Sequence, residues 1–292
     1  MHFSVVIPTM RREAILAATL DSLRRCEPAP DEVIVIDADP EGSSLPVVTE
    51  FDRDVDPAVK YIRSTASLTL QRNLGIADSA GDVVVFLDDD VDIEPDLFVR
   101  LEEAYGDPDV VGATGRIVEP ESGRRGGPRS ALRRLLPGGG HEGTFTRYGY
   151  PRYLRDLDSP ADVEFMQGCF MSARRDLAAQ VLFDEELGGY ALAEDEDFSY
   201  RLSRFGRIRY LPGIVVHHRK LGFGSQDARR FGRLVVKNRA YLFRKNFPQT
   251  PLARAQFGLL VLGLVGHRLL NGELRGALGL LEGARTEWLG RT

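Results

Sequence analysis

The sequence predicts an α/β protein in which helices flank a largely parallel sheet. Short continuous apolar runs, such as Val33–Ile36 and Val83–Leu87, are typical of strands that are buried on both faces. Segments with apolar residues at helical spacing separate these runs along the first hundred residues. Strands that alternate with helices are joined by right-handed crossovers, which place the strands parallel to one another.

The predicted elements follow a regular order along the chain. In the first hundred residues we predict strands over Phe3–Ile7, Glu32–Asp37, Val59–Arg63 and Val83–Leu87, and helices over Arg11–Arg25 and Thr69–Ser79. A stretch rich in Gly, Pro and Arg, from Glu119 to Pro151, predicts a long flexible loop. Beyond this loop we predict a strand over Val163–Ala173, a helix over Glu194–Phe205, extended segments over Ile208–Leu211 and Ile214–His218, and helices after Ser225 with breaks at Pro248 and Pro251.

The composition argues against a disulfide-rich, zinc-binding, secreted or membrane-spanning protein. The chain has 292 residues, and its two cysteines give neither a disulfide framework nor a zinc-binding spacing. The first residues lack the pattern of a secretory signal, and no apolar run reaches the ~18 residues that a spanning helix needs. We therefore expect a cytoplasmic protein, and a peripheral position at the cytoplasmic face of the membrane is left open.

The net charge of −5 is unevenly distributed. Ten Lys or Arg residues and one acid lie between Arg219 and Arg254, so this segment carries +9 and the rest of the chain carries −14. A basic segment on an acidic body indicates an anionic partner, and aromatic residues within it favour an anionic membrane surface over nucleic acid. The charge-free run Phe257–Gly266 is too short to span a bilayer. Residues 226–270 are therefore predicted either to bind a membrane surface or to pack on the rest of the protein or on a second subunit.

Three adjacent carboxylates, Asp88-Asp89-Asp90, follow the predicted strand Val83–Leu87 directly. Carboxylates that repel one another at the end of a buried strand are typical of a site for a divalent cation. In open α/β sheets, ligands bind at the carboxyl ends of the strands. The alternative is a solvated acidic loop. No Gly-x-Gly-x-x-Gly turn follows the first strand, which argues against a dinucleotide-binding protein.

Six motifs occur in an order and spacing that match a known family: Val6-Ile-Pro-Thr9, Val33-Ile-Val-Ile-Asp37, Gln71-Arg-Asn-Leu-Gly75, Phe86-Leu-Asp-Asp-Asp90, Gly168-Cys-Phe-Met171 and Glu194-Asp-Glu-Asp-Phe198. On these motifs the chain resembles the inverting family 2 glycosyltransferases over residues 3 to 245. The resemblance implies a GT-A fold, which is a Rossmann-like mixed sheet with helices on both faces, here with additional C-terminal helices. It also implies a catalytic domain over residues 1–225, with a nucleotide-binding half (1–118), the flexible loop (119–152) and an acceptor half (153–225), followed by a helical extension (226–292).

The resemblance implies a divalent cation, Mn²⁺ or Mg²⁺, bound by Asp90 and Asp88. Some members of the family supply a third ligand at the position that His218 occupies in this sequence. A structural role is the alternative for His218 and more so for His217. Neighbouring residues of an extended chain point to opposite sides, so we expect at most one of the two histidines to bind the ion.

The nucleotide-binding residues that the resemblance implies are Pro8, Thr9, Asp37, Arg72, Asp88 and Asp89. Asp37 would accept a hydrogen bond from the base, and the alternative is a turn or a helix cap. Arg72 would reach the base or the phosphates, and the alternative is a solvated helix residue. The usual Asp-Asp pair of the family is replaced by Asp37-Ala38-Asp39, which leaves the second position unassigned.

Asp195 is predicted to be the catalytic base, and Glu194 is its partner in the acidic pair of the family. An inverting transfer needs one carboxylate to deprotonate the acceptor hydroxyl. The alternative is that the acids only interact with the dipole at the start of a helix. Gly168 and Arg201 are predicted on the acceptor side, although core packing is as strong an interpretation for Gly168.

The sequence therefore predicts a metal-dependent inverting glycosyltransferase. It would use a UDP, dTDP or GDP sugar, and its acceptor would be a glycan or a lipid-linked molecule of the cell envelope. A homo-oligomer is left open. A nucleotidyltransferase would normally have a glycine-rich loop after the first strand, and Thr9-Met-Arg-Arg12 lacks glycine. An inactive scaffold that binds nucleotide sugars is the non-enzymatic alternative.

Overall fold

A computed structural model of the chain describes residues 1–53, 57–120, 141–154, 157–187, 191–220 and 227–289. Its strands are β1 (Phe3–Thr9), β2 (Glu32–Asp37), β3 (Ala58–Arg63), β4 (Val83–Leu87), β5 (Val91–Ile93), β6 (Val110–Val118), β7 (Ala161–Val163), β8 (Phe170–Arg174) and β9 (Arg207–His218). Its helices are α1 (Glu13–Arg24), α2 (Leu45–Arg53), α3 (Leu68–Asp78), α4 (Leu97–Tyr105), α5 (Arg175–Val181), α6 (Glu194–Leu202), α7 (Ala228–Asn246), α8 (Pro251–Leu270) and α9 (Leu274–Leu289). A 3₁₀ turn covers Glu185–Leu187.

Within these ranges the strands form one mixed sheet in the order β3-β2-β1-β4-β8-β6-β9-β5, and β7 pairs with β9. The first four strands are parallel, as the alternation of strands and helices predicts. β8 lies antiparallel between β4 and β6, and β6 is parallel to β9. The sheet is therefore mixed, as the family resemblance implies.

The central strands are buried on both faces because helices cover the sheet on each side. In β1, Val5 and Ile7 belong to one core with apolar residues of α1, α2 and α4. Val6 belongs to a second core on the opposite face with apolar residues of α3, α5 and α6. This arrangement explains why these strands read as continuous apolar runs rather than as alternating ones.

One predicted strand is wrong in its extent. The expected strand over Val163–Ala173 is two strands, β7 and β8, which are separated by residues 164–169. The break has a physical reason, because the amide and the carbonyl of Gly168 are hydrogen-bonded to side chains at the end of the sheet instead of to a neighbouring strand. Conversely, the two extended segments predicted over 208–218 belong to the single strand β9, whose register with β6 shifts between Gly115 and Arg116.

The chain divides into two compact units, one of Met1–Pro120 with Tyr153–Leu221 and the other of Glu121–Arg152 with Gly222–Thr292. The first unit contains the whole sheet and α1–α6. The catalytic domain over residues 1–225 stays a prediction, and in the structure residues 121–152 group with the C-terminal helices. Of these, residues 121–140 lie outside the described residues, whereas 141–152 are described and include a short bridge between Phe145 and Pro151.

The described part of the second unit contains three helices that pack on one another. Phe243 of α7 stacks on Phe257 of α8, with 4.9 Å between the ring centroids, and Phe257 meets the edge of Trp288 of α9 at 6.2 Å. Val236, Leu242 and Phe243 of α7 are buried, and so is Arg239. Among the described residues, no helix combines the length and apolar character needed to cross a membrane.

Candidate active site

The carboxyl ends of β1, β2 and β4 meet at one edge of the sheet, and β9 ends at the same edge because its direction matches that of β4. The predicted site residues follow these strand ends. The amide of Asp88 donates to the carbonyl of Cys169 at 3.1 Å, which holds the segment before β8 against the end of β4. The topology therefore brings together residues that are up to two hundred positions apart in the sequence.

Three of the predicted metal ligands lie together at this edge. One ligand atom from each of Asp88, Asp90 and His218 lies within 4.8 Å of the others. His218 Nε2 is 3.1 Å from Asp90 Oδ1, and the Asp90 side chain is only 2% exposed. His217 points to the other side of β9, where its Nε2 is 3.6 Å from Glu94 Oε1. The structure thus brings His218, and not His217, to the two carboxylates.

Burial and neighbouring charges shift the pKa values of the three side chains in different directions. Burial by itself would raise the pKa of Asp90, but hydrogen bonds and positive charge from His218 and Arg12 outweigh it and lower that pKa. Burial would lower the pKa of His218, whereas its hydrogen bond with Asp90 raises it, and the net direction is upward. Burial raises the pKa of Asp88 against the opposing effect of Arg72. Two carboxylates and an imidazole form a donor set that Mn²⁺ accepts.

Asp89 turns away from the trio and joins β4 to the first helix. Its Oδ2 accepts a hydrogen bond from the Thr9 hydroxyl at 2.8 Å, and its Oδ1 accepts one from Arg12 at 2.6 Å. Burial raises the pKa of Asp89 to about 6, although the Arg12 charge opposes this. Arg12 also donates to Asp90 at 3.0 Å. Sequence reasoning did not assign Arg12 to the site, and the only signal was its position just after Pro8-Thr9.

The Asp37 side chain is fully buried and organises the loop that follows β2. Its oxygens accept hydrogen bonds from the amides of Asp39 and Ser44 at 2.8 and 3.1 Å, and from the Tyr61 hydroxyl at 2.8 Å. These contacts match the role in a turn that was the alternative to base binding for Asp37. Asp39 is also buried. Its pKa is lowered to about 2, mainly by a hydrogen bond from Ser43 and to a smaller extent by one from Arg11. Pro8 is buried in β1 opposite Ile36.

Arg72 connects the metal trio to the predicted catalytic pair. Its guanidinium donates to Asp88 at 3.2 Å, to Glu194 at 2.8 Å and to the carbonyl of Gly168 at 2.9 Å. The side chain is 1% exposed and lies over the ring of Phe183. It is therefore a buried bridge between acids, rather than the solvated helix residue that was the alternative.

Asp195 lies at the start of α6, beside Gly168. Its Oδ2 accepts a hydrogen bond from the Gly168 amide at 2.9 Å, and its Oδ1 accepts one from the amide of Glu196. A Cβ on Gly168 would lie 3.3 Å from both Asp195 Oδ2 and Glu194 Oε1, so glycine allows this close approach. Burial, and then the charge of Asp195, raise the pKa of Glu194 above its usual range. Asp195 is partly exposed, whereas Glu194 is buried.

Arg201 is further along α6 and fixes that helix to its neighbour. It donates to Asp197 Oδ2 from Nε at 2.9 Å, and to the carbonyls of Val181 and Leu182 after α5. These contacts fill a structural role, because they tie two helices together through the C-terminal carbonyls of α5. Its predicted place on the acceptor side stays a prediction.

The sequence is similar to a family of glycosyltransferases and to individual members of it. The family model described as Glycosyl transferase family 2 matches residues 4–182. The pre-mycofactocin glycosyltransferase of Mycobacterium tuberculosis is 31% identical over 219 residues, which are 74% of this chain and 42% of that protein. The uncharacterized glycosyltransferase YwdF of Bacillus subtilis is 26% identical over 136 residues, 47% of this chain and 49% of that protein. The chain thus spans less than half the length of these relatives.

Solved structures share the fold at low identity. The mannosyltransferase PcManGT from Pyrobaculum calidifontis, in complex with GDP-Man and Mn²⁺, has a TM-score of 0.62 at 14% identity, and the match covers 100% of this chain and 88% of that one. S. aureus TarS 1-349 has a TM-score of 0.57 at 18% identity, with 88% and 69% covered. These likenesses show the GT-A fold that the motifs predicted. The family match covers more than half of the chain, and the chain therefore belongs to glycosyl transferase family 2.

Proposed function

We propose that this chain is an inverting glycosyltransferase that moves a sugar from a nucleoside diphosphate to a hydroxyl acceptor and depends on a divalent cation. One observation carries the proposal. A continuous series of hydrogen bonds runs from Asp88 through Arg72 and the Gly168 backbone to Asp195. It couples the carboxylates suited to a metal–diphosphate complex to the carboxylate suited to deprotonate an acceptor.

Asp88, Asp90 and His218 are the residues that would hold the cation. The donor set fits, because Asp90 is kept ionised by its neighbours and the three ligand atoms converge. When bound, Mn²⁺ or Mg²⁺ neutralises the diphosphate and stabilises the nucleotide as it leaves. The complexes of structural neighbours with GDP-Man and Mn²⁺, and with UDP-GlcNAc, support this chemistry here.

The protein residues have separate tasks in this proposal. Thr9 and Asp37 lie at the strand ends beside which the nucleoside binds, and Asp37 acts there through the loop that it organises as well as through its charge. Asp195 takes the proton of the acceptor hydroxyl as the hydroxyl attacks the anomeric carbon. Arg72 pairs with Glu194, which lies next to the proposed base Asp195, and so compensates the buried charge of Glu194. The amide of Gly168 orients Asp195 by donating to its Oδ2.

The acceptor that we propose is a glycan or a lipid-linked molecule of the cell envelope, and the setting is the cytoplasm or the cytoplasmic face of the membrane. The expected anionic membrane partner supports the lipid-linked option. An inactive scaffold is the alternative, and it would bind nucleotide without turnover.

Calorimetric titration with UDP, dTDP and GDP, each with and without Mn²⁺, tests the proposal. We expect one nucleotide to bind only with Mn²⁺, and we expect Asp90→Ala to abolish that binding. Asp92→Ala is the matched control, because Asp92 is a half-exposed acid two residues further on that pairs with Arg25. If no nucleotide binds in a metal-dependent manner, or if both variants lose binding equally, the proposed donor site is wrong.

A further inference from the structure

The outer surface of the C-terminal helices carries an unusual number of exposed leucines. On α8 the exposed large apolar residues are Leu252, Leu259, Leu262, Leu269 and Leu270, with exposed fractions between 49% and 79%. At 100° per residue they fall on one stripe, opposite the buried stripe of Phe257, Leu260, Val261 and Val265. The helix is thus apolar on both sides, and only one side is covered.

The following helix α9 continues the same kind of surface. Its buried side includes Ala277, Leu280 and Ala284, and Gly279 allows close packing on the backbone of α7. Its exposed side carries Leu274, Leu278, Leu281 and Trp288, which repeat at intervals of three, four and seven residues. Isolated exposed leucines are ordinary, but a stripe of them on each of two successive helices marks an interaction site.

Charge distinguishes the kind of partner. The three acids of this helix pair are all used internally: Glu273 pairs with Arg268, Glu282 with Arg229 and Arg233, and Glu287 with Arg244. Arg254, Arg275 and Arg285 have no acidic partner within the part of the chain that the structure describes. At 100° per residue, Arg254 projects on the covered side of α8, whereas Arg275 and Arg285 project on the exposed side of α9. The exposed stripe of α9 therefore carries positive charge that no acid of the described residues neutralises.

We propose that the outer face of α8 and α9 seats on the surface of a bilayer that contains anionic lipids. The leucines and Trp288 would enter the interface, and Arg275 and Arg285 would meet the lipid phosphates. A second copy of the chain is a poorer fit, since a two-fold contact would bring together two faces that carry the same uncompensated positive charge. The sequence left membrane binding and packing open for residues 226–270, and the proposed face extends beyond residue 270 into α9. The large apolar side chains that the structure exposes in this part of the chain lie on α8 and α9, whereas Val236, Leu242 and Phe243 of α7 are buried.

Flotation of the full chain with vesicles tests the proposal. We expect binding to vesicles of phosphatidylcholine with phosphatidylglycerol, and we expect it to weaken as salt rises and to be much weaker with phosphatidylcholine alone. Replacing Leu262, Leu270 and Leu278 with Gln should reduce binding by about tenfold for each leucine. Phe205→Gln is the control for the loss of exposed apolar surface, because Phe205 is 52% exposed on the first unit and should have no role in lipid binding.

The contribution of charge is tested separately. Replacing Arg275 and Arg285 with Gln should reduce binding to the anionic vesicles by about fivefold for each arginine. The matched control removes two half-exposed arginines of the first unit, Arg204 and Arg207. Equal losses in both double variants would show that only net charge matters, and this result would overturn the docking face.

Two further measurements distinguish loss of the docking face from loss of the fold, and a lipid partner from a second copy of the chain. Helical circular dichroism and metal-dependent nucleotide binding should be unchanged in the leucine variant, so that loss of vesicle binding reports the face and not the fold or the proposed function. Light scattering reports the oligomeric state. If the wild type is a dimer that the leucine variant converts to a monomer, and neither floats with vesicles, the partner is a second copy and the lipid proposal is wrong.

Discussion

The Arg72 guanidinium is nearly inaccessible to water, yet two of its three acceptors are carboxylates, on Asp88 and Glu194. Burying these charges is unfavourable unless each is paired, and removing one partner leaves the other uncompensated. The buried acid Glu194, whose pKa is already raised, therefore depends on this arginine. Arg72 links the proposed donor side of the site to the proposed base side through its contacts with Asp88, Glu194 and the carbonyl of Gly168.

We predict that Arg72→Gln lowers the free energy of unfolding by about 3 kcal/mol. Arg100→Gln, which removes the exposed pair with Asp96, should lower it by less than about 1 kcal/mol. Urea unfolding at neutral pH measures both. Combining Arg72→Gln with Glu194→Gln should recover part of the loss, because the double variant no longer leaves the Glu194 carboxylate buried without its partner, although Asp88 still lacks Arg72. Strictly additive losses would contradict this account of the bridge.

Asp195→Asn is predicted to reduce turnover by about 10²- to 10⁴-fold, the usual contribution of a general base. The amide oxygen of Asn can still accept the hydrogen bond from Gly168, so the local geometry should persist. Metal-dependent nucleotide binding should therefore match that of the wild type. Steady-state kinetics and calorimetry together test the assignment, and turnover close to the wild-type value would place the base elsewhere.

Individual site residues differ in how readily the sequence reveals them. Asp88 and Asp90 were predictable because a buried strand leads directly to them, and the motif spacing pointed to His218. Arg12 was not, since an arginine after a strand has many uses and only the folded chain shows its contacts with Asp89 and Asp90. The sequence also could not show that Asp89 faces Thr9 rather than the trio.

At the level of elements, strands buried on both faces were predicted well. The apolar runs of β1, β2 and β4 leave little choice of structure, and their observed bounds agree with the prediction to within two residues. Antiparallel β8 was not separated from β7, because both lie in one apolar stretch and the break at Gly168 results from long-range contacts. Helix α4 and strand β6 were not predicted at all.

Close packing of α9 on α7 depends on glycine. A Cβ on Gly279 would lie 2.1 Å from the carbonyl oxygen of Arg229, whereas a Cβ on Gly266 of α8 would meet nothing within 4 Å. We predict that Gly279→Ala destabilises the helices by about 1–3 kcal/mol, since backbone cannot yield as a side chain can. Gly266→Ala should instead be neutral or stabilise α8 by up to about 1 kcal/mol. Thermal unfolding followed by helical circular dichroism compares the two, and equal effects would contradict this packing.

The ion pairs between α7 and α9 should make this contact sensitive to acid. Hydrogen bonds from Arg229 and Arg233 lower the pKa of Glu282 to about 2 from its ordinary value of 4.5. A lowered pKa means that the stabilisation is complete above pH 4.5 and is lost as the pH falls towards 2. Glu282→Gln should therefore lower the melting temperature at neutral pH, and the difference from the wild type should shrink over this acidic range.

The matched control for this effect is Glu103→Gln on α4, an exposed glutamate outside the network. Its difference from the wild type should not decrease over the same range. If the effect of Glu282→Gln stays constant from neutral pH to acid, the ion pairs do not stabilise the helices.

For the whole molecule, the sequence predicted a C-terminal helical part separate from the sheet, but it did not predict which other residues group with that part. The charge pattern separated a basic C-terminal part from an acidic body, and the apolar runs confined the sheet to the first part of the chain. It could not reveal that residues 121–152 group with the C-terminal helices, because that grouping depends on contacts between distant segments. Nor could periodicity alone show which side of α8 is covered, since both sides are apolar.

All proposed donor and catalytic residues lie in the first unit, and the proposed lipid-binding face lies entirely in the second. Ligand binding should therefore stabilise the first unit, by about 2.7 kcal/mol when the nucleotide is at a hundred times its dissociation constant. Hydrogen exchange with the preferred nucleoside diphosphate and Mn²⁺ should show added protection at the ends of β1 and β4 and the start of α6, and none in α8 or α9. Vesicles should produce the opposite pattern, with protection in α8 and α9 only. Protection of α8 and α9 by the nucleotide alone would contradict a donor site that is complete within the first unit.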